Sequence, residues 1–198
     1  MKLAIPYYSQ YKEVTSDEWK GRACIVTCLK MALDHVSPGS APSLDRLIEE
    51  ALIHSASMME HGLITAQSAT HGFVHDVIVV MAHNHGVAAY REEFKSLSLD
   101  AENKPAPSPY VEAVLQKGIE KLKTSIENNH VPIVSVLPGL SDGESFHTIL
   151  LTGFEEEEGR VKGFYYHDPD AKDLPRNDLF LSLSEFLKYW RKMAIFIG

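Results

Sequence analysis

The chain carries two cysteines, Cys24 and Cys28, and their positions allow different chemistry. Cys24 follows Gly21-Arg22-Ala23 and opens an apolar run of Ile25, Cys28, Leu29, Ala32 and Leu33, whose spacing predicts a helix. A thiol at a helix N-terminus meets free N–H donors and the positive end of the helix dipole. Both favour the thiolate, which is the nucleophilic form. Cys28 falls one turn deeper on the same face, where a small apolar thiol packs as core. The two side chains point the same way rather than at each other, so two free thiols are expected.

A thiolate nucleophile needs a base and a group that orients the base. His147 opens the β-rich run Phe146 to Phe154, and Asp168 closes the run Val161 to Asp168, just before Pro169. The polar stretch Glu155 to Gly159 reads as the turn of a hairpin between them. Such a hairpin makes positions near 147 and 168 cross-strand neighbours. His167 should project from the opposite face of a regular strand, which leaves His147 as the base. Upstream, the amide of Gln10 is a candidate donor to the oxyanion of a tetrahedral intermediate, with the Cys24 N–H as second donor.

These residues need elements to hold them. After the Cys24 helix, which ends before Pro38, Ser43 caps a second helix through about His54. A third runs from about Gly72 to His85, with Gly86 as its stop, and a fourth from about Tyr110 to Asn128. The period then changes. Pro132 to Leu137 reads as a buried strand, the hairpin follows, and Asp178 to Leu181 reads as a short strand. Ser182 and Glu185 form a capping box before a helix carrying Phe186, Leu187 and Trp190, and Met193 to Ile197 closes as a strand. Leu99 to Pro109, with three prolines, reads as a lid or a connector. Helices first and an antiparallel sheet afterwards predict an α+β fold, with 1–198 as a single domain.

The balance of charge narrows the partners. The 198 residues carry a net charge of −8, which argues against nucleic acid or an anionic membrane surface as partner. No apolar run approaches the length of a membrane span, and the start of the chain lacks a secretory pattern, so a cytoplasmic, reducing setting is expected. There are ten histidines. His71 and His75 are four apart at the start of the third helix, and His83 and His85 flank its end. Neither these nor His54 and His61 form a set with metal-ligand spacing. They read as partly exposed histidines at helix ends, and neither a metal nor a cofactor is expected. Tyr7, Tyr8 and Trp19 line a substrate groove or anchor the N-terminal segment.

At these same residues a family resemblance appears. Ile5-Pro6-Tyr7-Tyr8-Ser9-Gln10, Trp19 and Ala23 to Met31 resemble the opening of the C-thirty-nine-like peptidases, papain-fold enzymes related to bacteriocin-leader-processing domains. Ser43 to Ile48 resembles their second helix. Val131-Pro132-Ile133-Val134, Phe146 to Phe154 and Tyr166-His167-Asp168-Pro169 resemble their strand, histidine and aspartate motifs, and Ser184-Glu185-Phe186 with Trp190 their last helix. The resemblance implies a papain-like fold and a cysteine peptidase in which Cys24 is nucleophile, His147 base, Asp168 orienting residue and Gln10 oxyanion donor. Two positions depart from the family pattern: Ile25 stands where glycine usually follows the nucleophile, and Phe146 where glycine often precedes the histidine.

The reading is a hydrolase acting on a peptide or amide bond. Two other functions keep the fold: an acyltransferase or transpeptidase with the same nucleophile, and an inactive peptide-binding domain. Substrate and oligomeric state are not legible in the sequence.

Overall fold

In a computed structural model the described residues are 1–65, 72–102, 104–140 and 146–198. Two short helices, α1 (Gln10–Glu13) and α2 (Asp17–Lys20), precede the Cys24 helix, α3 (Cys24–Val36). Ten successive residues of α3, from Ile25 to Asp34, are buried, so this helix runs through the interior rather than along its surface. The second helix, α4 (Leu44–Glu60), is capped by Ser43 as expected but runs past His54. The third, α5 (His75–Asn84), starts later than its apolar spacing suggests. The fourth is α6 (Val111–Glu127).

The strands are β1 (Ala89–Glu93), β2 (Leu97–Leu99), β3 (Pro105–Pro107), β4 (Val131–Val136), β5 (His147–Glu157), β6 (Arg160–His167), β7 (Leu179–Ser182) and β8 (Trp190–Ile197), with α7 (Leu183–Tyr189) between the last two. Six of them form one antiparallel sheet in the order β1-β8-β4-β5-β6-β7. Strand β4 is buried at every position, as a short apolar run bounded by turns requires when both faces of the sheet are covered. Alternate residues divide the core. Val131, Ile133, Leu150, Ile195 and Ile197 pack with α3, α4 and α5. Val134, Val136, Ile149, Leu151 and Phe196 pack with α6 and α7. The fold is α+β as expected, with one difference: the helices flank the sheet on both faces.

Two further differences have clear causes. Strand β1 was not visible in the sequence because only Ala89 of its five residues is buried, so Tyr90-Arg91-Glu92-Glu93 reads as polar surface. It is an edge strand joined to β8. The proline-rich stretch is a small two-stranded hairpin, β2 with β3, closed by Ser96 Oγ donating to Ser108 Oγ at 2.7 Å. Its prolines sit on an edge strand, where a missing N–H costs little.

The N-terminal segment is tied to the sheet by its backbone. Leu3 N donates to Thr152 O at 2.7 Å, and Gln10 N to Pro169 O at 3.0 Å. Tyr7 Oη donates to Asp168 O at 3.0 Å, and Ser9 Oγ to Ala171 O at 2.5 Å. Tyr8 Oη donates to Asp34 Oδ2 at 3.0 Å, and Trp19 stacks on Phe73. The three aromatics therefore anchor this segment. Among the described residues, no helix is long and apolar enough to cross a membrane.

Candidate active site

Cys24 is the first residue of α3, and no side chain caps that helix start. It is partly exposed, whereas Cys28, one turn on, is fully buried. Both thiols are free. The Cys28 thiol donates to Thr148 O at 3.6 Å and burial pushes its pKa well up, which suits an inert core residue. For Cys24 burial also pushes upward. Against it act a hydrogen bond and charge from His147, a hydrogen bond with Thr148 and the Ile25 N–H, and the net shift is below the ordinary 9.0.

His147 opens β5 and Asp168 follows the end of β6. Leu150 pairs with His167, so the position directly opposite Asp168 is Ile149 and His147 stands on its diagonal. The hairpin places His147 two residues from direct opposition, and the side chains close the gap. His147 Nε2 lies 2.6 Å from Asp168 Oδ1. His167 turns away as expected, held between Ile5 O and Asp178 N.

Asp168 is fully buried and its carboxylate has further partners. Oδ1 accepts from Asp170 N at 2.9 Å, an Asx turn of the kind an Asp-Pro sequence favours. Oδ2 lies 3.0 Å from Arg176 Nε in an ion pair. The turn role and the histidine contact are thus compatible. Sequence reasoning missed Arg176, which follows Asp168 at no recognisable spacing. The backbone N–H of Asp168 donates to Arg176 O, and this pairing brings the arginine back to the carboxylate.

Burial alone would lower the His147 pKa, but the hydrogen bonds from Asp168 and Cys24 reverse this and hold it at about 10. With Nε2 directed at Asp168, Nδ1 is the ring nitrogen left for the thiol. A thiol shifted down beside an imidazole shifted up is the electrostatic condition for a thiolate–imidazolium pair.

Gln10 opens α1 and is 2% exposed. Its backbone is tied to Pro169, the residue after Asp168. Its amide side chain hydrogen-bonds the hydroxyl of Tyr11, whose pKa is pushed to about 12, first by burial and then by Asp170. The Cys24 charge also reaches Tyr11, which places this amide region near the thiol. Gln10 Oε1 has no hydrogen-bond partner among the described residues; it is an acceptor, so only the Nε2 end of this amide can meet an oxyanion.

Cys24, Ile25, His147 and Thr148 line a cleft of about 180 Å³ together with Phe73, His75 and Arg191. The His61-Gly62 stretch and the β2–β3 hairpin are not among its lining residues. Ile25 is 3% exposed and belongs to the core while still touching the cleft. Among the described residues no group of three or more histidines, cysteines and carboxylates is placed to hold a metal ion.

His75 is a partly exposed histidine at a helix start, as expected, but it also lines the cleft, with Nε2 2.6 Å from Ser135 Oγ. His71, its expected companion, lies outside the described residues. Other histidines serve as connectors. His83 Nε2 is 2.8 Å from Ala89 O, His85 pairs with Glu50 at 2.9 Å, His54 bonds Asn84 at 2.9 Å, and His61 bonds Ser57 O at 2.8 Å.

Burial, with Arg191 and Arg91 adding to it, pushes the His75 pKa from 6.5 down to about 4. In the unfolded chain this imidazole takes up a proton at the ordinary value, so its contribution to stability is present above 6.5 and is lost as the pH falls toward 4. Lowering the pH across that window should cost wild-type protein up to about 3 kcal/mol more than His75→Gln. Urea unfolding midpoints at neutral pH and at the acid end check this, and equal acid sensitivity would contradict it.

Comparisons with known proteins give the family and the fold. Residues 2–195 match the Peptidase_C39 like family. A protein described as a C39-like peptidase from Bacillus anthracis shares the fold at TM-score 0.61 and 16% identity, over 100% of this chain and 98% of that one. The double glycine motif protease of an AMS/PCAT transporter, crystallised with its leader peptide, gives TM-score 0.55 at 15% identity, over 100% and 94%. The peptidase domain of Streptococcus ComA, a bifunctional ABC transporter of a quorum-sensing pathway, gives 0.50 at 18%, over 89% and 91%. No curated protein matches. Family and fold together define a papain-like cysteine peptidase-type hydrolase. The chain belongs to the Peptidase_C39 like family.

Proposed function

We propose that residues 1–198 form one peptidase domain that cleaves a peptide or amide bond through Cys24, His147 and Asp168, with Gln10 as oxyanion donor. The reading is carried by one observation: the run of contacts from the lowered Cys24 thiol through His147 to buried Asp168, closed at 2.6 Å. The Cys24 thiolate adds to the substrate carbonyl carbon, and the oxygen becomes an oxyanion facing the Cys24 N–H and the Gln10 amide. Imidazolium His147 gives its proton to the departing nitrogen as the C–N bond breaks, leaving a thioester. Water, deprotonated by neutral His147, then releases the acid and restores the thiolate–imidazolium pair. Asp168 keeps the ring oriented and stabilises its charge throughout. Every group used is supplied by the chain itself. Peptide leaders are bound by the AMS/PCAT relative, which supports a peptide as substrate here. Free thiols at 24 and 28 suit a reducing, cytoplasmic setting.

Alkylation tests the reading. With iodoacetamide at about pH 6, Cys24 should label at least about 100-fold faster than Cys28, and His147→Ala should slow Cys24 alone. Over the full pH range the Cys24 rate should rise below the ordinary thiol range, where thiolate forms. Peptidase activity, which also needs imidazolium, should fall as His147 deprotonates near 10. Equal, sluggish labelling of both thiols would favour an inactive peptide-binding domain instead.

A further inference from the structure

We propose that Arg191, set beside the Ser135–His75 pair in the cleft next to Cys24, is a carboxylate-binding subsite that selects substrates with an acidic group near the scissile bond. The proposal rests on reading Cys24 as the nucleophile.

The first observation is how Arg191 comes to be there. Along the β4–β8 pairing, Val134 faces Ala194 and Val136 faces Trp190, so Ser135 stands opposite the three residues Arg191, Lys192 and Met193. Lys192 at the centre of this bulge has φ of 57°, a left-handed conformation that is unfavourable for a lysine. Its carbonyl accepts from Phe94 N at 2.7 Å, which fixes the distortion. Bulges re-aim side chains beside active sites. This one brings Arg191 into the same cleft as Cys24 and His147.

The second observation is charge. Arg191 lies over the ring of Phe146 at 4.0 Å, a contact that fixes the guanidinium without neutralising it. Phe146 directly precedes His147. No carboxylate among the described residues lies within 4 Å of Arg191. The nearby acids are committed elsewhere: Asp76 and Glu93 to Arg91 at 2.5 and 3.5 Å. His75 and Ser135 satisfy each other and add no negative charge. Burial and the neighbouring arginines keep His75 neutral. Arg22, paired with Glu18 at 3.7 Å, also lines the cleft. A protein of net charge −8 thus presents a guanidinium without a carboxylate partner among the described residues, beside the candidate nucleophile. Its planar fork of donors matches a carboxylate.

The carboxylate could be an acidic side chain or the free terminus of a short peptide, and the test separates the two. Iodoacetate and iodoacetamide deliver the same alkyl carbon to Cys24 with and without a carboxylate. Iodoacetamide alone reports the thiolate, and so reports on the proposed function. The iodoacetate-to-iodoacetamide rate ratio reports the subsite. Relative to wild type, Arg191→Gln should lower that ratio about fivefold or more, and Arg191→Lys should lower it less. His147 is common to all three proteins, so its own charge cancels. Added salt should slow iodoacetate relative to iodoacetamide more in wild type than in Arg191→Gln, because the His147 charge is common to both.

Peptide pairs then identify the source. Faster cleavage with Glu than with Gln beside the scissile bond indicates a side chain. Faster cleavage with a free than with an amidated C-terminus indicates the terminus. A ratio unchanged in Arg191→Gln, with the same salt dependence as wild type, overturns the subsite while leaving fast iodoacetamide labelling intact. Slow labelling by both reagents overturns the nucleophile instead.

Discussion

Replacing Cys24 by alanine is expected to lower turnover of any cleaved peptide or ester by about 10⁴-fold or more, because the proposed mechanism forms its covalent intermediate on this thiol. The same substitution should act on its partner. Part of what holds His147 near 10 is the hydrogen bond and charge of Cys24, so the imidazole should titrate lower in Cys24→Ala. An NMR titration of the His147 ring reads this directly. Cys28→Ala should leave turnover in place, since Cys28 is a buried residue whose thiol burial makes inert. Appreciable turnover by Cys24→Ala, or an unmoved His147, would defeat the mechanism.

Asp168 should show the second large effect, and on two quantities at once. Its fully buried carboxylate meets His147 at 2.6 Å and Arg176 at 3.0 Å. Asp168→Ala would leave both cations without that partner, a loss of about 3–5 kcal/mol for a broken buried pair. Set against a typical total of about 5–15 kcal/mol, this could leave too little folded protein to assay. Asp168→Asn is the better kinetic probe, since it keeps the shape and removes the charge. It should lower kcat by about 10²–10⁴-fold. It should also move the alkaline fall in activity to lower pH, because Asp168 is the leading influence that raises His147.

Stability follows the same sign. The raised His147 pKa contributes stability that is fully present below 6.5 and is lost as the pH rises through about 10. Asp168→Asn should be less stable than wild type at neutral pH, with the gap closing at high pH. Unfolding midpoints at pH 7 and pH 10 would show it. A constant gap would mean that Asp168 acts through Arg176 and packing rather than through the charge of His147.

Much of the site was legible because it rests on local rules. A cysteine heading an apolar run identifies a helix N-terminus, and a hairpin with one polar turn brings His147 near Asp168. What escaped depends on long-range placement. Arg176 reaches Asp168 through a backbone pairing that no spacing announces. His75 reads as a helix-end histidine, yet α5 starts there facing β4, and Ser135 takes up its imidazole. Arg191 depends on a β8 bulge that hydrophobic periodicity cannot reveal. Edge strand β1 has a single buried residue, so it carries almost no alternation. The hairpin register, shifted by irregularities near Thr152 and Glu155, moved Asp168 from direct opposition to the diagonal.

The ties from Tyr7, Ser9 and Gln10 to residues 168–171 span sequence separations of about 160. They join the first and last parts of the candidate site, Gln10 and Asp168, across most of the chain. Contacts this distant in sequence close late, since loop entropy must be overcome before they contribute. The site therefore cannot assemble in a partly made or partly folded chain. The reactivity proposed for Cys24 would act as a clock hand that moves only at the end, so the rise of iodoacetamide labelling during refolding would time completion of the native state. A nascent chain would thereby be spared an active nucleophile until residues 168–171 are in place.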